Sequence, residues 1–173
     1  MRLRFVAVAL LALLVSACAD AERFDAAGDV HTLLISIRDG DTTAFDAHVD
    51  RRALKTQLRA RLMAEATRRA GGDPTLAALG AMFGRSLVDA AADALIQPDV
   101  FRAVADDLGY SADRPIPGQM VIAQGLRRID DDHVCVPRKT GGPCVLTFTN
   151  EDHVWRLSGF EGDVGRLRGP TAG

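Results

Sequence analysis

The sequence predicts an α+β protein, with about five helices in its N-terminal half and a four-stranded antiparallel meander at its C-terminal end. Three observations lead there. As far as residue 108, apolar residues recur at spacings of three and four, the period of a helix face. From Leu126 onward the apolar positions alternate, the period of a half-buried strand. The change of period falls across residues 109–118, a stretch with glycine and proline that belongs to neither pattern. A chain of 173 residues suits one domain, and 47% hydrophobic residues supply enough apolar surface to exclude a wholly disordered chain. A formal net charge of −2 does not mark a nucleic-acid binder, and 5% aromatic residues leave few stacking platforms for bases or sugars.

The first seventeen residues have their own logic. Arg2 and Arg4 form a short positive region, followed by an apolar run over residues 5–15. Eleven residues are too few to span a bilayer, which needs about 20, but match the central region of a signal peptide. Val15-Ser16-Ala17-Cys18 then resembles the lipobox of bacterial lipoprotein signals, which implies cleavage before Cys18 and lipidation of its thiol. Ordinary secretory cleavage beside Ala17 or Ala19 is the alternative. Ala19, rather than Asp, follows the cysteine, and this points to an outer-membrane lipoprotein facing the periplasm. The expected division is a signal peptide at 1–17, a lipidated tether at 18–28, one α+β domain at 29–163 and a tail at 164–173.

The first domain helix is expected from about Ala26 to Arg38, with Val30, Leu33, Leu34 and Ile37 on its buried face and Gly40 as a left-handed cap. Asp41 or Thr42 can cap a second, short helix near Phe45 and Val49, and Asp50 a third that runs to Ala70. Leu54, Leu58, Leu62 and Ala66 stripe the third, and Gly71-Gly72 ends it. Asp73-Pro74 opens a fourth that extends to about Ile96. Its Gly80 and Gly84 allow close packing of another helix. Gln97-Pro98 restarts a fifth with Val100, Phe101, Val104 and Leu108.

Residues 126–129, 133–136, 144–149 and 154–160 read as the four strands, with polar turns at Asp130-Asp131-Asp132 and Asn150-Glu151-Asp152. Cys135 and Cys144 fall on adjoining strands across a Gly-Gly-Pro loop. In an oxidising compartment they are expected to form a disulfide. A zinc site built with His133 and His153 is the sharper reading, but the spacing matches no common zinc module. No metal and no cofactor is expected.

Ile37-Arg38-Asp39-Gly40-Asp41, Phe45-Asp46-Ala47-His48-Val49-Asp50, Ala53-Leu54-Lys55-Thr56-Gln57-Leu58, Ala78-Leu79-Gly80 and Leu87-Val88-Asp89 together resemble the bacterial family catalogued as domain of unknown function 2939. Leu146-Thr147-Phe148 and Trp155-Arg156-Leu157 fit it too, so the resemblance covers about Asp29 to Phe160. That family has no assigned activity, so the resemblance implies no catalytic residues. The sheet half also resembles the NTF2-like superfamily, which implies helices packed into a curved sheet around a small-molecule pocket.

No catalytic motif stands in the chain, neither Gly-x-Ser-x-Gly, a Walker loop, Gly-x-Gly-x-x-Gly nor His-Glu-x-x-His. Asp106-Asp107 and Asp130 to Asp132 read as solvated turn charge, His31 and His48 as surface or half-buried residues, and Trp155 as an anchor of the sheet core. The third helix carries Arg51, Arg52, Lys55, Arg59, Arg61, Arg68 and Arg69 against Glu65. Arg52, Lys55 and Arg59 share one flank, where they would either meet an acidic surface or form a solvated face balanced by the rest of the molecule. The function expected is a non-catalytic binding or interaction module, held at the membrane by its lipid. The alternative is a pocket domain that binds a small molecule.

Overall fold

In the computed structural model, residues 2–69, 89–107 and 113–161 are described. The element order is α1 (Arg2–Asp39), α2 (Thr42–Ala47), α3 (Arg51–Arg69), the helical segment α4 (89–95), α5 (Pro98–Asp107), α6 (Gln119–Gly125), β1 (Arg127–Arg128), β2 (His133–Pro137), β3 (Cys144–Glu151) and β4 (Val154–Phe160). The predicted class is the observed one, a helical half followed by an antiparallel sheet in the order β1-β2-β3-β4. The expected fourth helix falls largely outside the described residues, with Gly80, Gly84 and the Gly71-Gly72 terminator. So does the tail.

Local chemistry explains the helix ends. α1 stops at Gly40, whose φ of +70° lets the Asp41 N–H turn back to the Ser36 carbonyl at 2.9 Å. Arg102 of α5 donates to the Arg38 carbonyl at 3.1 Å, placing a cation at the negative end of α1. The Asp41 side chain accepts the N–H groups of Thr43 and Ala44, both at 3.0 Å, and caps α2. Asp50 accepts the Ala53 N–H at 2.9 Å and caps α3 in the same way. These caps are where the sequence placed them.

Two elements depart from expectation. The helix expected to begin at Ala26 is continuous from Arg2 to Asp39. No proline interrupts that stretch, and its alanines and leucines favour helix strongly enough to carry it through Gly28. Residues 22–28, assigned by sequence to the tether, pack against the domain, with Ala26 and Ala27 fully buried. α6 was not anticipated at all. It has seven residues, its N-cap Gly118 offers no side chain, and Val121-Ile122 reads equally well as strand. It is helical because Ile122 and Ala123 then turn together against the core.

The core lies between α1 and the sheet. Trp155 and Leu157 of β4, Phe148 of β3 and Val134 of β2 are buried against Ala26, Ala27, Val30 and Leu33 of α1. Phe45, Leu54 and Ile96 close it from the helical side. Phe45 meets the edge of Phe101 at a centroid distance of 5.3 Å and 71°. The open edge of β4 is covered by residues 48–50, where Val49 bridges Leu157 in parallel and the Asp50 N–H bonds the Leu157 carbonyl at 3.0 Å. α3 grips the end of β4. Gln57 accepts the Phe160 N–H at 3.0 Å, and the Arg61 guanidinium donates to the Phe160 carbonyl and lies over its ring, 4.7 Å from the centroid.

Candidate functional site

Cys135 and Cys144 are bonded, with Cα atoms 5.6 Å apart, as expected from their place on adjoining strands. The bridge spans the β2–β3 hairpin where the register slips between Val136 and Pro137. Arg127 of β1 packs over it, donating to the Gly142 carbonyl at 3.0 Å and to Cys144 Sγ at 3.0 Å. The sulfurs therefore staple a loop that carries Arg138 and Lys139 beside the start of β1.

His133 is engaged at the opposite end of its strand. Its Nδ1 lies 2.7 Å from Asp130 Oδ1 in the β1–β2 turn. That hydrogen bond, helped by the Asp132 N–H, holds the Asp130 carboxyl below its ordinary range. Asp131 pairs with Arg128. The acidic turn is thus tied up by its own neighbours. No group of three metal-ligating side chains occurs among the described residues.

Trp155 is buried, as expected for a core anchor, and two carboxylates of α1 hold it. Its indole Nε1–H donates to Asp25 at 3.1 Å and its backbone N–H to Asp29 at 2.8 Å. The other oxygen of Asp29 lies 3.4 Å from His48 Nε2, and His48 Nδ1 lies 2.8 Å from the Ala44 carbonyl. This Asp–Trp–His cluster joins α1, α2 and β4. It has the makings of a rigid joint, since every one of its polar contacts runs between elements or closes a turn.

Of the three α3 cations singled out in the sequence, Lys55 pairs with Asp93 and Arg59 with Asp89, both on α4. Arg52 is exposed, with no acidic partner among the described residues. The α3 flank therefore spends two of its three charges within the molecule.

A different basic surface emerges at the β1 edge. An open groove of about 540 Å³ is lined by Arg23 of α1, Gln124 and Gly125 of α6, Arg127 and Arg128 of β1, and Pro137, Lys139 and Thr140 of the next strand and loop. Its lining holds four cations and no acid. Arg128 Nε approaches Glu22 at 2.6 Å, a pair shielded from water at an angle outside hydrogen-bond geometry, and it fixes α1 to β1. No carboxylate among the described residues pairs with Arg127 or Lys139. The sequence signal was present in two dibasic pairs, Arg127-Arg128 and Arg138-Lys139, flanking one predicted hairpin. No local spacing joins these pairs to one another or to α6, which forms one wall of the groove.

Cys18 lies within α1, four residues before Glu22. No helix among the described residues is long and apolar enough to cross a membrane.

Fold and site together define a small disulfide-closed α+β protein whose helical half is pinned to an antiparallel meander through one long helix. A family model described as "Protein of unknown function (DUF2939)" matches residues 6–104, more than half the chain, and the protein belongs to that family. The match runs from the apolar N-terminal run through most of α5, so the sheet lies beyond it. No curated protein and no solved structure matches the chain, and the NTF2-like resemblance of the sheet half finds no support there.

Proposed function

We propose that this protein is a non-catalytic interaction module of the cell envelope, held at the membrane by a lipid on Cys18. The observation that carries the reading is the run from Arg2 to Cys18, in which charge, apolar stretch, small residues and cysteine stand at lipoprotein spacing. Removal of residues 1–17 would leave α1 starting one turn before Glu22, whose side chain pairs with Arg128. A disulfide between Cys135 and Cys144 suits an oxidising compartment. The helix–sheet interface is occupied by Phe45, Leu54, Phe148 and Trp155, which favours an interaction surface over an internal ligand pocket. Acyl anchoring of this kind is stable when more than one chain inserts.

The test is Cys18→Ser, followed by globomycin-type inhibition of lipoprotein processing and membrane fractionation. The wild type should sediment with membranes through a high-salt wash, with the acyl mass on its N-terminal peptide. The variant should accumulate unprocessed and unacylated. An N-terminal peptide beginning at Cys18 without acyl mass in the wild type would refute the anchor.

A further inference from the structure

The distance between Cys18 and Glu22, whose side chain pairs with Arg128 of β1, decides which face of the domain meets the bilayer. This inference rests on the lipid anchor proposed above. Along a helix, the four residues from Cys18 to Glu22 span only about 6 Å, no more than the depth of one headgroup layer, about 5–8 Å. Glu22 is fixed to Arg128, so the domain has no slack with which to swing away. Whatever surrounds Arg23 and Arg128 must lie at the level of the headgroups.

Two independent features occupy that place. One is the groove, where Arg127 and Lys139 are unmatched by any acid among the described residues. Asp20, Glu22 and Asp25 are the acids on this stretch of α1; Glu22 is held by Arg128, which also pairs with Asp131, and Asp25 accepts the Trp155 indole N–H. The other is apolar. Phe24, Met120 and Val121 are exposed, the last two at 60% each. Gln119 donates to the Phe24 carbonyl at 2.7 Å, which ties the start of α6 to this part of α1. On α6 the exposed positions 120, 121, 124 and 125 form one face, and Gln124 and Gly125 of that face line the groove. Cations and exposed apolar side chains thus share one surface at the root of the anchor.

We infer that this surface lies on the bilayer, with the groove cations on the phosphates of anionic phospholipids and the apolar residues of α6 at the interface. The lipid would hold the protein to the membrane, and the surface would set its orientation, leaving α3 and the far end of the sheet for partners.

The full-length lipidated protein can be added to preformed vesicles of phosphatidylcholine, with or without phosphatidylglycerol. The rate of tryptic cleavage after Arg138 and Lys139 is then followed by mass spectrometry. Cleavage should be about thirtyfold slower on the anionic vesicles, the effect of two basic contacts, and high salt should abolish the difference. Met120→Ser with Val121→Ser, both at exposed positions, should weaken the protection. Equal cleavage on both vesicles, with the protein retained on both, overturns the inference and leaves the anchor standing. Protection on neutral vesicles by inorganic phosphate alone would overturn it in favour of a small-anion site. Failure of retention on neutral vesicles, with no acyl mass at Cys18, refutes the anchor itself.

Discussion

Trp155 shows what a single side chain does here. It is the sole tryptophan, its ring fills the space between β4 and α1, and its N–H groups end on Asp25 and Asp29 of α1. Truncation of a buried ring of this size leaves a cavity, so Trp155→Ala should lower stability by about 3–5 kcal/mol. Trp155→Phe keeps most of the apolar contact and loses one partly buried hydrogen bond, with a cost of about 1–2 kcal/mol. Urea titration followed by far-ultraviolet circular dichroism checks both. Equal effects of the two substitutions would show that the Asp25 bond, rather than the ring volume, dominates. The burial of Trp155 was legible in the sequence, because a lone large aromatic in an alternating run belongs on the inner face of a strand. Its two carboxylate partners were not, because Asp25 and Asp29 lie about 130 positions away and no local spacing connects them.

At the scale of elements, legibility followed the physics of each signal. α2 and α3 could be placed from their caps, since Asp41 and Asp50 act on N–H groups two or three residues ahead. The strands could be placed from alternation and turn residues. The outcome for α3 charge depended on what α4 brings opposite, which is a tertiary fact. Exposed ion pairs contribute about 0.2–1 kcal/mol each. Replacing Arg52, Lys55 and Arg59 together by Gln should therefore cost about 1 kcal/mol through the pairs with Asp93 and Asp89, while vesicle association stays unchanged. Thermal unfolding alongside vesicle co-sedimentation separates these effects. A loss of vesicle binding at unchanged stability would restore α3 as the contact surface. The β2–β3 hairpin offers a parallel case. Closing its loop through Cys135 and Cys144 contributes about 2–3 kcal/mol in the chain-entropy model, so Cys135→Ala with Cys144→Ala should lower the denaturation midpoint correspondingly. A midpoint unmoved by the double substitution would mean that strand pairing alone holds the loop.

On the scale of the whole molecule, α1 is the element both halves share. It packs on α2, α5 and α6, on β1 through Glu22 and Arg128, and on β4 through Trp155. The sequence could not show this, because the buried positions of α1 between Glu22 and Val30 are alanines, Ala26 and Ala27, which carry little hydrophobic signal. Ala26 and Ala27 are fully buried all the same, and their small size is what brings the helix close to the sheet. A larger side chain there must push against the surrounding core, and overpacking of this kind costs about 1–3 kcal/mol. Ala27→Leu should therefore destabilise the protein by that amount. Because α1 serves both halves, the helical signal at 222 nm and Trp155 fluorescence should fall together in one transition at a lower midpoint. Were residues 18–28 a free tether, the substitution would leave the midpoint where it is. Were the halves independent, the helical signal would shift and Trp155 would not. A single transition, displaced for both probes, is the behaviour that burial of Ala27 in a shared core requires.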